Sequence, residues 1–138
     1  MKRAHNKEQI EEEHWSKLLE SVVINTTDGV VITDANVNPG PNIIYVNDAL
    51  IKMSGFTRDE LIGSSADIFH GDNSTQEGLK KIGTAIQNKQ ACNVELINYT
   101  KAGRAYDVSI NISPVTDHTG AVTHWISIQR DITENRNY

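Results

Sequence analysis

One cysteine, Cys92, stands in a chain of 138 residues, so no internal disulfide can form. A reducing, cytoplasmic setting is the expectation that follows. Lys and Arg number 13 against 18 Asp and Glu, with no dense basic block, which argues against nucleic acid or an anionic membrane as partner. No apolar run approaches the ~18 residues of a membrane span. The start, Met1 to Asn6, leads into acidic residues, not an apolar segment, so no signal peptide is expected. Of the three prolines, Pro39 and Pro41 share one loop and Pro114 stands apart, and there are neither low-complexity tracts nor internal repeats. There is no P-loop, no dinucleotide fingerprint and no Ser/His/Asp order, so nothing points to an enzyme. His118 and His124 lack the neighbours of a zinc site. Cys92 has no cation or second cysteine close in sequence and reads as a small strand residue.

What is present is the composition of one ordinary globular domain, 38% hydrophobic and 22% charged. Residues 6–24 carry Trp15, Leu18, Leu19 and Val22 at helical spacing, with Asn6 and Gln9 as a capping box. Val30 to Thr33 and Asn42 to Val46 read as two antiparallel strands around a loop with Asn, Pro and Gly. Asn47 caps a short helix that Gly55 ends, and Thr57 to Glu60 is a capping box. Ser74 to Glu77 is another, opening a longer helix with the stripe Leu79, Ile82 and Ile86. Gly78 and Gly83 each cost that helix roughly 1 kcal/mol against alanine if exposed.

Three strands follow as a meander: Cys92 to Tyr99, Arg104 to Val115 and Ala121 to Arg130. In the second, Tyr106, Val108, Ile110 and Ile112 alternate with polar residues. In the third, Trp125, Ser127 and Gln129 share one face, while Val122, His124, Ile126 and Ile128 share the other. With Trp125 inward, the latter set joins Ile97 and Tyr99 in an apolar outer face that the N-terminal helix or a second copy must cover. Helices clustered in the middle of an antiparallel sheet read as an α+β fold with the helices on one face.

The ordered pieces Ile44-Tyr-Val-Asn-Asp-Ala49, Ser54-Gly-Phe-Thr-Arg-Asp-Glu-Leu-Ile-Gly63, Glu95-Leu-Ile-Asn-Tyr-Thr-Lys101, Ser113-Pro-Val115 and Gln129-Arg-Asp-Ile-Thr133 resemble a PAS domain, most similar to its LOV (light, oxygen, voltage) branch. The resemblance covers about Val30 to Thr133 and implies a five-stranded antiparallel sheet cupping the helices around an internal pocket. It divides the chain into an N-terminal amphipathic helix (1–26), a sensory domain (27–133) and the start of a linker (134–138). In LOV domains the pocket holds flavin mononucleotide, whose ring blue light joins to a cysteine.

The family's loop, similar to Gly-x-Asn-Cys-Arg-Phe-Leu-Gln-Gly, aligns with Gly63 to Gly71 at equal length. Ala66 stands at the reactive cysteine, and a methyl group forms no flavin adduct. Asp67 stands at one phosphate-gripping arginine and Gly83 at the other, while Val108 replaces an amide partner of the ring. Repulsion between Asp67 and a phosphate is about 1 kcal/mol in water at contact, and two charge-assisted bonds are lost besides. Flavin mononucleotide is therefore disfavoured. The cofactor is unknown, with flavin adenine dinucleotide or another small ligand left open.

Asn98 and Gln129 match the family's ring-edge amides, and Val31 and Thr33 are as the family has them. Ser65 and His70 replace the loop's asparagine and glutamine, which completes the candidate pocket set. Trp125 and Ser127 add bulk toward the pocket. The two amides either bind a ligand or satisfy each other. His70 reads as a loop histidine and not as a haem ligand, since residues 75–89 hold none.

Arg130 to Thr133 resembles the Asp-x-Thr junction that passes PAS signals to a following helix. The expectation is a non-catalytic sensory and dimerisation module, with an effector such as a histidine kinase or diguanylate cyclase removed or absent. The alternatives are a flavin redox or photoreduction sensor, and a ligand-free interaction module with a filled pocket.

Overall fold

The computed structural model describes residues 17–19, 21–22, 26–36, 40–71 and 76–135. Five strands form one antiparallel sheet: β1 (Gly29–Asp34), β2 (Ile43–Val46), β3 (Cys92–Tyr99), β4 (Ala105–Thr116) and β5 (Val122–Asp131). Their order across the sheet is β2-β1-β5-β4-β3. The last three are a meander, and β1 pairs in register with β5, Val31 opposite Ser127 and Thr33 opposite Trp125. The chain crosses from one edge strand, β2, to the other, β3, through α1 (Asp48–Ser54), α2 (Arg58–Leu61), a 3-10 turn (Ala66–Phe69) and α3 (Glu77–Gln87). The α+β reading and the five-strand count hold.

Local chemistry sets these elements. Asn47 Oδ1 accepts from Leu50 N at 3.0 Å, capping α1, and from Val30 N at 2.9 Å. Its Nδ2 donates to Asp28 O at 3.0 Å, so one buried amide ties the helix start to the entry of β1. Gly55 ends α1 at φ 77°, where a side chain is strained. Thr57 and Glu60 form the expected capping box of α2. Ser74 lies outside the described residues, and the cap of α3 is Gln76, which makes no side-chain cap bond. The Gln76 amide instead exchanges two bonds with Ile97, 2.8 Å from Ile97 N and 2.9 Å to Ile97 O, and closes part of the free edge of β3.

The core has two parts. One joins Leu96, Val108, Ile110, Ile112 and Trp125 of the sheet to Leu79, Ile82 and Ile86 of α3. The other joins Val31, Ile43, Val46, Leu50, Leu61 and Phe69. Two side chains expected on the outer face are elsewhere. Val122 packs against the first cluster, next to a register shift at Val115/Thr116. The Tyr99 ring lies over Gly71, where an added Cβ would come within 2.8 Å of it. Both residues stand at strand ends, Val122 at the start of β5 and Tyr99 at the end of β3. Ile128 stays outward and exposed. Residues 17–19, 21 and 22 are helical with Leu18, Leu19 and Val22 exposed, while Trp15 and the Asn6/Gln9 cap lie outside the described residues.

Candidate functional site

The loop Gly63 to Gly71 is pinned to the outer edge of β2. Ile43 N donates to Ser64 O at 2.8 Å, and Gly63 N donates to Ile43 O at 2.8 Å. Ser65 then caps the 3-10 turn by accepting from Asp67 N, and Phe69 buries its ring against Phe56 edge-on. This anchoring carries Ser65, Ala66, Asp67 and His70 to the rim of a cavity between the helices and the sheet.

The cavity has a volume of about 160 Å³. All the pocket residues expected from the sequence line it: Val31, Thr33, Ser65, His70, Asn98 and Gln129. Strand alternation explains the gathering of Val31, Thr33, Asn98 and Gln129, since β1, β3 and β5 present them on the face turned to the helices, while the pinned loop brings Ser65 and His70. Sequence reasoning missed the contribution of Gly40 and Pro41, from the loop after β1, and took Ile82, Ile86, Ile110 and Ile112 as plain core. A cavity opening between two apolar clusters has no signature in the pattern that makes the clusters.

At its polar end, Asn98 Nδ2 donates to Gln129 Oε1 at 3.4 Å, and Gln129 Nε2 donates to Ser127 Oγ at 3.3 Å. Asn98 is 0% exposed and Gln129 4%. The two amides do satisfy each other in part, but Asn98 Oδ1 and the Tyr106 hydroxyl have no hydrogen-bond partner among the described residues. Burial pushes the Tyr106 phenol up, against a lowering by the Asn98 amide beside it. At the rim, His70 Nδ1 is 3.5 Å from Asp67 Oδ1. Burial pulls the His70 imidazole below its usual value, although the Asp67 charge works against that.

Flavin mononucleotide does not fit these residues. The cavity is below the ~300 Å³ lower end of small-molecule pockets. Among the described residues no Lys or Arg lines it, and the carboxylate at its rim, Asp67, is an anion. Gly83 is exposed, and a Cβ there would meet nothing within 4 Å. Cys92 does not line the cavity, and burial at the head of β3 pushes its thiol up. Among the described residues no His, Cys, Asp and Glu group is placed to hold a metal ion. No helix among them is long and apolar enough to cross a membrane.

The profile of a PAS domain family matches residues 19–134. A blue-light photoreceptor of Listeria innocua serovar 6a is 36% identical over 110 residues, 80% of this chain and 43% of that protein. A blue-light-activated histidine kinase of Brucella canis is 30% identical over 104 residues, 75% of this chain and 21% of that one. The solved structure of an RNA-binding light-oxygen-voltage receptor superposes with a TM-score of 0.80 at 24% identity, over 87% of this chain and 34% of that one, a likeness of fold. The chain thus spans less than half the length of these curated relatives.

Proposed function

We propose, from the premise that this chain belongs to the PAS domain family, that it is a sensory and dimerisation module of a signal-transduction protein, with no catalysis of its own and no cysteinyl-flavin photochemistry. Its relatives include a blue-light photoreceptor and a blue-light-activated histidine kinase, which supports the signalling role. Ala66 on the cavity rim, and Cys92 away from it, support the absence of an adduct. The effector is a histidine kinase or diguanylate cyclase, fused or as a partner, and the setting is cytoplasmic.

The observation that carries the proposal is the amide pair at the cavity's end. Gln129 touches the cavity from β5, and the same strand leads directly into the Asp131 to Thr133 junction. That junction is held at the start of β4: Ile132 N donates to Asp107 O at 2.9 Å, and Asp107 N donates to Thr133 Oγ1 at 2.9 Å. Thr133 Oγ1 in turn donates to Asp131 Oδ1 at 2.7 Å. A ligand that changes which bonds Gln129 makes biases β5 and this clamp between two arrangements, and so biases whatever follows Thr133.

The first test is the visible spectrum of the purified protein, in the dark and under blue light, with fluorescence of the supernatant after denaturation. A colourless protein that releases no flavin is the expected result. Reversible bleaching with adduct formation under blue light sinks the proposal. Retained flavin without an adduct selects instead a flavin redox or photoreduction sensor, the reading that Asn98 and Gln129 favour at their family positions. In the full-length protein, Gln129→Leu is expected to abolish regulation of the effector, and intact regulation rules out the amide route.

A further inference from the structure

We infer that the cavity takes a neutral, flat molecule of a single ring that presents one hydrogen-bond donor to Asn98 Oδ1. This rests on the sensory reading above and names the class of ligand for that site.

The size comes first. At about 160 Å³ the cavity matches the ~150 Å³ apolar cavity known to accept benzene. A fused ring system with a polar tail has no room in it. The walls are apolar: Val31, Phe69, Ile82, Ile110, Ile112 and the buried face of Trp125. Flat aromatic surface is what branched aliphatic and indole walls pack against best.

The polarity of the bond follows from what is left unpaired. Asn98 Nδ2 gives one of its N–H groups to Gln129 Oε1, and Gln129 Nε2 gives one to Ser127 Oγ. Two buried polar atoms remain without a partner among the described residues: the Tyr106 hydroxyl, whose residue does not line the cavity, and the acceptor Asn98 Oδ1, whose residue does. That oxygen is fully buried, where an acceptor without a donor is costly. A ligand N–H or O–H repairs that, whereas a second acceptor adds to the cost.

Charge is excluded on both signs. An anion finds no Lys or Arg among the described lining residues. His70 offers it no compensating charge at neutral pH, because burial lowers its pKa. A cation must leave water for apolar walls with no carboxylate inside them, since the Asp67 side chain is 89% exposed.

The experiment uses the full chain and three one-ring probes of similar size, phenol, fluorobenzene and benzoate, titrated by calorimetry at pH 7 with riboflavin as a fourth. Phenol and fluorobenzene differ by a donor replaced with a poor acceptor on the same ring. Phenol is expected to bind about tenfold more tightly, the worth of one buried hydrogen bond. Benzoate and riboflavin are expected not to bind. Asn98→Leu, close in volume, is expected to bring phenol and fluorobenzene to equal affinity. The wild-type comparison decides the matter even where that variant fails to fold. Equal binding of phenol and fluorobenzene by the wild type overturns the donor, and benzoate binding overturns neutrality. Stoichiometric riboflavin binding overturns the single-ring limit while leaving a ligand-sensing domain in place. Failure of all four probes to bind overturns this inference, while the sensory reading stands or falls separately on regulation of the effector by Gln129→Leu in the full-length protein.

Discussion

His70 and Glu60 carry their charges under opposite constraints, and each writes a pH window into stability. Burial lowers the His70 pKa from 6.5, with Asp67 pulling the other way. The folded state then binds fewer protons than the unfolded one just below pH 6.5, so His70's contribution is complete above that value and is lost as pH falls through its folded pKa. Glu60 is drawn from 4.5 to about 2, first by its bond to Lys101 Nζ and then by the backbone of Thr57. Its contribution is present above pH 4.5 and is lost as pH falls toward about 2. Thermal melts from pH 8 to pH 3 are therefore expected to show two declines. His70→Gln removes the upper one. Glu60→Gln weakens the lower one while keeping an acceptor for Thr57 N, so the capping box survives and only the Lys101 pairing is lost. If the upper decline persists in His70→Gln, the buried imidazole is not its source.

At the scale of elements, α3 holds two glycines that the sequence treats alike and the structure does not. A Cβ on Gly78 would collide with Leu96 Cδ2 and sit 3.0 Å from the Glu95 carbonyl oxygen. The backbone oxygen cannot yield as a side chain can, so Gly78 is the contact that lets α3 lie against β3. Gly83 faces open space. Gly83→Ala is thus expected to stabilise by about 1 kcal/mol, the helix propensity difference, and Gly78→Ala to destabilise by about 1–3 kcal/mol through overpacking. Urea unfolding of the two variants reads opposite signs, and equal shifts would mean that α3 does not rest on β3 this closely. The existence of α3 was legible because Leu79, Ile82 and Ile86 repeat at helical spacing. Its start was not. Gln76 is fastened to Ile97, 21 residues further on, and no local rule links an amide to a strand edge that far along the chain. Tyr99 and Val122 escape the alternation for a similar reason, since their places depend on Gly71 and on a register shift, not on the period of a strand.

For the whole molecule, the same period of two that built the inner face also states what the outer face needs. It placed Val31, Thr33, Asn98 and Gln129 around one cavity, although their choice as pocket residues came from the resemblance to the LOV branch and not from the period. The volume of the cavity and the orphaned Asn98 oxygen could be read from neither, because both depend on how far apart two core clusters close. On the opposite face, Ile128 is 44% exposed, paired across to Val30 and flanked along β5 by the half-buried Ile126. In the same chain Leu18, Leu19 and Val22 are exposed at 44%, 60% and 65% on a helical stretch of matching apolar character. The exposed Ile128 and the exposed side chains of the helical stretch cover each other when two copies meet, the helix of each lying on the sheet of the other or both joining one core. The protein is accordingly expected to sediment as a dimer at micromolar concentration. Ile128→Glu and Leu19→Glu are each expected to weaken that dimer tenfold or more, since every such side chain forfeits ~1.5–3 kcal/mol of burial and gains a charge to desolvate. Both substitutions are at exposed positions, so the monomers should keep their circular dichroism and melting temperature. A wild-type protein that stays monomeric at 100 times that concentration removes the dimer from the proposal, and a dimer indifferent to Ile128→Glu moves the interface off β5.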